Sequence, residues 1–210
     1  MLDTLTHSRA QSAAIITVII IIITTIFIMF SWTSLLFILC SALTPALCCD
    51  WLSHYGHLSN TSLTLIRLMG GQLTQQESPV SFPFKLYERV HKEEVKSQLA
   101  FIRDSLELIS GLYRHDNLSS VTWDTDKTDH FLMSIDRQTE ELNTCVPTNR
   151  PADSKLRKYY RRLVRSTLCR TGGSPASWEL IRKETKEHLQ QLDLLVSSIR
   201  RRSTTAHQQH

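Results

Sequence analysis

The sequence predicts an all-α fold: a helical bundle of about five helices, up-down, with a long loop after the first helix. Three observations carry that prediction. Beyond Cys49, apolar residues recur at alternating three and four positions, the spacing of one helical face. Sustained apolar–polar alternation, which would argue for strands, is missing. Gly-Gly pairs and proline dipeptides punctuate the helical stretches at intervals that leave room for short connections and one long one. A bundle of this kind fits within about 150 residues, the size of one domain.

The chain before Cys49 has a different composition. Ala13 to Phe30 is almost wholly apolar and Leu35 to Leu47 is a second apolar stretch, with Arg9 and Asp3 the only charges. Two readings fit this leader of residues 1–48. Translation starting at Met29 gives Met29–Cys48 the length and small-residue ending of a secretory signal, with Cys49 as the new N-terminus. Alternatively the first apolar segment, long enough for the roughly 20 residues a bilayer requires, anchors an exported domain. Either way the helical domain, 49–202, leaves the cell.

A first helix is expected over Asp50–Met69, with Leu58, Ser62, Leu65 and Met69 on one stripe; Gly70-Gly71 stops it as a glycine cap. Ser78-Pro79 and Phe82-Pro83 keep Gln72–Pro83 out of regular helix. The clearest helix follows, with Val95, Leu99, Ile102, Leu106, Ile109 and Tyr113 in register. A third opens near Trp123 and carries Phe131, Leu132, Ile135, Leu142 and Val146 up to Pro147. A fourth begins at Asp153, a favoured N-cap, turns Leu156, Tyr160, Leu163 and Thr167 inward, and ends at Gly172-Gly173. Ser174 and Pro175 open the last, whose stripe runs Trp178, Ile181, Thr185, Leu189, Leu192, Val196 and Ile199. The polar residues 203–210 read as a flexible tail.

Charge and motif content exclude several functions. Arg9 and Asp3 cancel, so the net +4 belongs to the exported domain. That excess suits receptors or anionic glycans and is too small to argue for nucleic acid. His54 and His57 share a helix face without a third ligand nearby, so no metal site is expected. The sequence contains no metalloprotease helix motif, phosphate-binding glycine loop or nucleophile elbow. No enzyme and no cofactor are expected. The basic face of the fourth helix (Lys155, Arg157, Lys158, Arg161, Arg162, Arg165 and Arg170) is a solvated surface or a patch for an acidic receptor or sulfated glycans. Asn60 and Asn117 begin glycosylation triplets, Asn60 on the first helix and Asn117 in a loop. Three cysteines remain beyond the leader, Cys49, Cys145 and Cys169, which implies one disulfide and one free thiol. Spacing alone allows Cys145 to pair with Cys49 or with Cys169.

Several motifs, in order, resemble fish type I interferons. Cys49-Asp50-Trp51-Leu52 resembles their mature N-terminus, and Phe82-Pro83 with Leu86-Tyr87 the loop after their first helix. Trp123, His130-Phe131-Leu132, Leu142 and Cys145 resemble their central helix. Ser177-Trp178-Glu179-Leu180-Ile181-Arg182 resembles the tryptophan–glutamate signature of their last helix. The match spans Cys49 to about Arg202. Ala176 stands where mammalian relatives have a cysteine, so the pattern is that of the two-cysteine group, and Cys169 falls outside it.

The resemblance implies a secreted antiviral cytokine that bridges the two chains of a heterodimeric class II cytokine receptor. It implies a Cys49–Cys145 disulfide, whose loop of about a hundred residues would contribute about 4–5 kcal/mol by chain entropy. It also nominates Arg182, Lys183 and Lys186, on the outer face of the last helix, for the higher-affinity receptor. The second receptor chain would use the second, third and fourth helices. Trp178 reads instead as core. The rival readings are another helical cytokine, of the interleukin-10-like group, and a membrane-anchored helical protein.

Overall fold

In a computed structural model, residues 50–115, 118–146 and 152–207 are described. They lie in the unit Ala46–His210. Six α-helices follow in order: α1 Asp50–Leu68, α2 Phe84–His91, α3 Val95–His115, α4 Thr125–Cys145, α5 Ser154–Val164 and α6 Pro175–His207. A π-turn, Arg165–Cys169, continues α5. There is no strand among the described residues.

Side-chain pairs fix how the helices run. Ser59 Oγ donates to Asp193 Oδ1 at 3.1 Å, and Arg200 reaches the Leu52 carbonyl at 2.7 Å, so α1 and α6 are antiparallel. Arg202 bonds Gln98 at one end of α3 while Tyr113 bonds Thr185 at the other, so α3 also opposes α6. The Asp124 amide meets the Met69 carbonyl and Ser62 meets Ser134, which sets α4 against α1. Thus α1 and α3 run the same way, and the long connection carries the chain back between them. From α3 onward the bundle alternates up and down, as expected.

Most predicted stripes are the buried ones. Leu99, Ile102, Leu106, Ile109 and Tyr113 of α3 are buried, as are Trp178, Ile181, Leu192, Val196 and Ile199 of α6. On α1 the buried line is Trp51, Tyr55, Leu58, Ser62 and Ile66, continued by Met69 just past its end, with Leu65 only partly covered. Ser62 belongs to that line because its hydroxyl has partners: Ser134 Oγ at 2.8 Å and Gln138 Nε2 at 3.0 Å. A buried hydroxyl without such a partner costs about 1–3 kcal/mol.

Four expectations need correction. The connection after α1 contains a helix, α2, in which Leu86, Tyr87 and Val90 are buried. Two turns are too few to stand alone, and packing on α3 and α6 holds them. Gly70 is not a left-handed cap, since positive φ occurs only at Gly172 and Gly173 among the described residues. A Cβ on Gly70 would lie 2.7 Å from Trp123 Cδ1 and 2.9 Å from Arg182 Nη1, so close approach explains this glycine. Helix α4 begins at Thr125, capped by Asp124, whose carboxylate accepts the Lys127 amide at 3.0 Å. Finally α6 continues to His207, because neither glycine nor proline interrupts residues 203–207.

Candidate functional site

The residues that shape the surface are organised by two buried clusters. In the first, Tyr113, Trp123, Phe131 and Trp178 pack with ring centroids 5.5–6.1 Å apart. Trp123 Nε1 donates to Glu179 Oε1 at 2.6 Å, and the other carboxylate oxygen receives Arg182 Nε at 2.9 Å. Arg182 then reaches the carbonyls of Ile66, Arg67 and Gly71. Its guanidinium therefore terminates α1, where cations and donors to the last carbonyls are favoured.

This overturns one expectation. Arg182, expected on the outer face, is wholly buried. Its burial is possible because the guanidinium is paired with Glu179 and bonded to carbonyls. Lys183 and Lys186 are half-buried at the rim of the same helix. Lys183 Nζ donates to the Gln76 carbonyl at 2.8 Å and pins the long connection. Lys186 makes no ion pair among the described residues. Trp178 is wholly buried, in keeping with a core role.

The second cluster surrounds His188. Phe82, Tyr87, Tyr159 and Tyr160 ring it, and Tyr160 stacks on it at 4.9 Å. His188 Nδ1 shares a 2.6 Å hydrogen bond with Tyr87 Oη, while Nε2 is buried without a partner. Burial pushes the His188 pKa down to about 3. Tyr159 Oη donates to Glu184 at 2.6 Å. Burial raises the Glu184 carboxyl above its ordinary range, and the tyrosine only partly offsets that. The cluster ties the long connection, α2 and α5 to α6.

Two surface features stand on this frame. A groove of about 380 Å³ between α2 and α6 is lined by Phe84, Tyr87, Glu88, His91, Gln191, Leu194, Leu195 and Arg201. Phe84 and Leu194 are two of the few large apolar side chains left exposed, at 51 % and 60 %. A larger groove of about 790 Å³ lies between α3 and α5. Leu108, Leu112 and Val164 contribute apolar surface to it, with Arg157, Arg161 and Arg165 beside them. No group of three potential metal ligands occurs among the described residues.

The interferon alpha/beta domain family model matches residues 52–199. The chain belongs to the fish type I interferons. It is 39 % identical over 170 residues to interferon a3 of Oncorhynchus mykiss, covering 80 % of this chain and 97 % of the relative. The solved structure of zebrafish interferon 1 matches with a TM-score of 0.64 and 31 % identity, over 71 % of this chain and 99 % of that one. Interferons are secreted cytokines, not enzymes, and their partners are cytokine receptors. This assignment decides against the interleukin-10-like group. Among the described residues no helix of this interferon is long and apolar enough to cross a membrane.

Of the other expected sites, Asn60 is exposed on α1, while Asn117 and Cys49 lie outside the described residues. Cys145 is disulfide-bonded and Cys169 is a free, exposed thiol, so these two are not paired with each other. No local sequence signal marks the exposed apolar anchors Phe84 and Leu194. Each sits off its helix's buried stripe, and only the folded arrangement brings them to one groove.

Proposed function

We propose that this interferon bridges the two chains of a heterodimeric class II cytokine receptor and thereby induces antiviral genes through receptor-associated kinases. The observation that carries the reading is the presence of two separate grooves, each offering apolar surface, on one tied bundle. Exposed aromatic and aliphatic anchors in a concave patch are what receptor interfaces use for most of their binding energy. The groove at Phe84 and Leu194, with Lys183 and Lys186 further along α6, suits the higher-affinity chain. The groove of Leu108, Leu112 and Val164, with its arginines, suits the second. Arg182 supports the first surface from beneath and touches no partner.

The remaining features complete a secreted ligand. The leader is removed as a signal ending at Cys48, Cys49 pairs with Cys145, and Asn60 and Asn117 carry glycans. Two variants test the bridging. Phe84→Ala/Leu194→Ala and Arg157→Glu/Arg161→Glu/Arg165→Glu each alter exposed residues. Each should keep the thermal midpoint of the parent and lose antiviral-gene induction by about tenfold or more. Met133→Ala, also at an exposed apolar residue but outside both grooves, should retain it. Full potency in both groove variants would overturn the reading.

A further inference from the structure

The basic residues of α5 divide into two rows. Arg157, Arg161 and Arg165 border the α3–α5 groove. Lys155, Lys158 and Arg162 instead line a separate cleft of about 340 Å³ facing α2, with Lys85, Arg89, Ser81 and Tyr159. The second row lies at positions i, i+3 and i+7, so its charges follow one side of the helix for about 10 Å.

The cleft is electrostatically unbalanced. No acidic side chain lines it, and Asp153, the N-cap of α5, is already engaged. It caps α5 through the amides of Lys155 and Leu156 and accepts Arg89 Nη2 at 2.6 Å. Burial opposes its charge, but Arg89 and those amides outweigh it and hold the carboxyl below its ordinary value. Lys85, Lys155, Lys158 and Arg162 are exposed, and none makes an ion pair among the described residues. Four free cations thus converge on one concavity.

We infer that the cleft between α2 and α5 binds a sulfated polysaccharide. A linear chain bearing sulfates at intervals matches a row of point charges along a groove, and lysine serves such anions as a point charge. Nucleic acid fits less well. The aromatics beside the cleft, Tyr159 and Tyr160, are buried in the His188 cluster and offer no face on which bases could stack. Ser81 adds a hydroxyl donor at the mouth. The inference rests on the protein being exported, where such glycans occur, and not on receptor bridging.

The test compares two variants of equal charge on the same helix, using the purified domain on immobilised heparin. Lys155→Gln/Lys158→Gln/Arg162→Gln should bind heparin about tenfold more weakly and induce antiviral genes at saturating dose as the parent does. Arg157→Gln/Arg161→Gln/Arg165→Gln should keep heparin binding within about threefold. Equal losses in both would show a response to net charge alone and overturn the site, as would undiminished binding by the first variant. Competition by duplex DNA or polyglutamate as effective as that by heparin would overturn the sulfated-glycan assignment. Loss of induction in the second variant, with heparin binding kept, concerns only the receptor reading.

Discussion

Arg182 Nη2 donates to the carbonyl of Gly71 at 2.6 Å, joining residues 111 positions apart in the chain. The same guanidinium is held by Glu179 and reaches the last carbonyls of α1, so α6 determines where α1 ends and how the long connection leaves it. The connection is then fastened by Lys183 at Gln76 and by Phe82 among the aromatics around His188. A surface built on α2 and α6 depends on all three attachments.

Arg182→Ala should therefore lower stability by about 3 kcal/mol, since it strands buried carbonyls and leaves Glu179 without its cation. Arg182→Lys should recover only part, because an ammonium cannot span carboxylate and carbonyls in a fork. Gly70→Ala should cost about 1–3 kcal/mol, because Trp123 and Arg182 confine the added methyl from two sides. Urea midpoints of the three variants check these values.

Trp178→Ala should cost about 3–5 kcal/mol, from loss of a wholly buried indole packed on Tyr113 and Trp123. Signalling should fall only with the folded fraction. An equally stable Ala variant that fails to signal would contradict the core role.

The folded His188 is neutral because burial lowers its pKa to about 3. The unfolded chain takes up a proton near the ordinary value of about 6.5, so acid favours unfolding. Stability present above that value should fall, between about pH 6.5 and 5, with a slope approaching 1.4 kcal/mol per unit. Glu184, whose carboxyl is raised by burial, opposes this trend as it takes up its own proton. Chemical unfolding across that pH range should show a shallower slope in His188→Gln than in the parent.

With the leader removed, the native protein should react with a thiol reagent at one site. That reaction should disappear in Cys169→Ser, because Cys169 is free and exposed while Cys145 is disulfide-bonded. Unfolding without reductant should release no second thiol if Cys49 is the partner of Cys145.

Periodicity made the long helices legible, since each buries a continuous stripe whose spacing survives in the sequence. Asp153 and Pro175 could be read as helix starts for similarly local reasons. Arg182 could not be placed by such a rule. Charge argued for the outside, and the carbonyls that make its burial tolerable come from α1, far away in sequence. His188 was hidden likewise, because its ring of aromatics is drawn from the long connection, α2 and α5. The grooves were invisible because each is shared by two helices that only the bundle brings together.

Bridging is tested most directly by mixing. Arg157→Glu/Arg161→Glu/Arg165→Glu should keep the Phe84–Leu194 surface and lose the other. Added in excess to the parent protein on responsive fish cells, it should occupy one receptor chain and suppress antiviral-gene induction in a dose-dependent way. A variant that neither induces the genes nor suppresses the parent, or one that still induces them fully, would contradict a two-surface bridge.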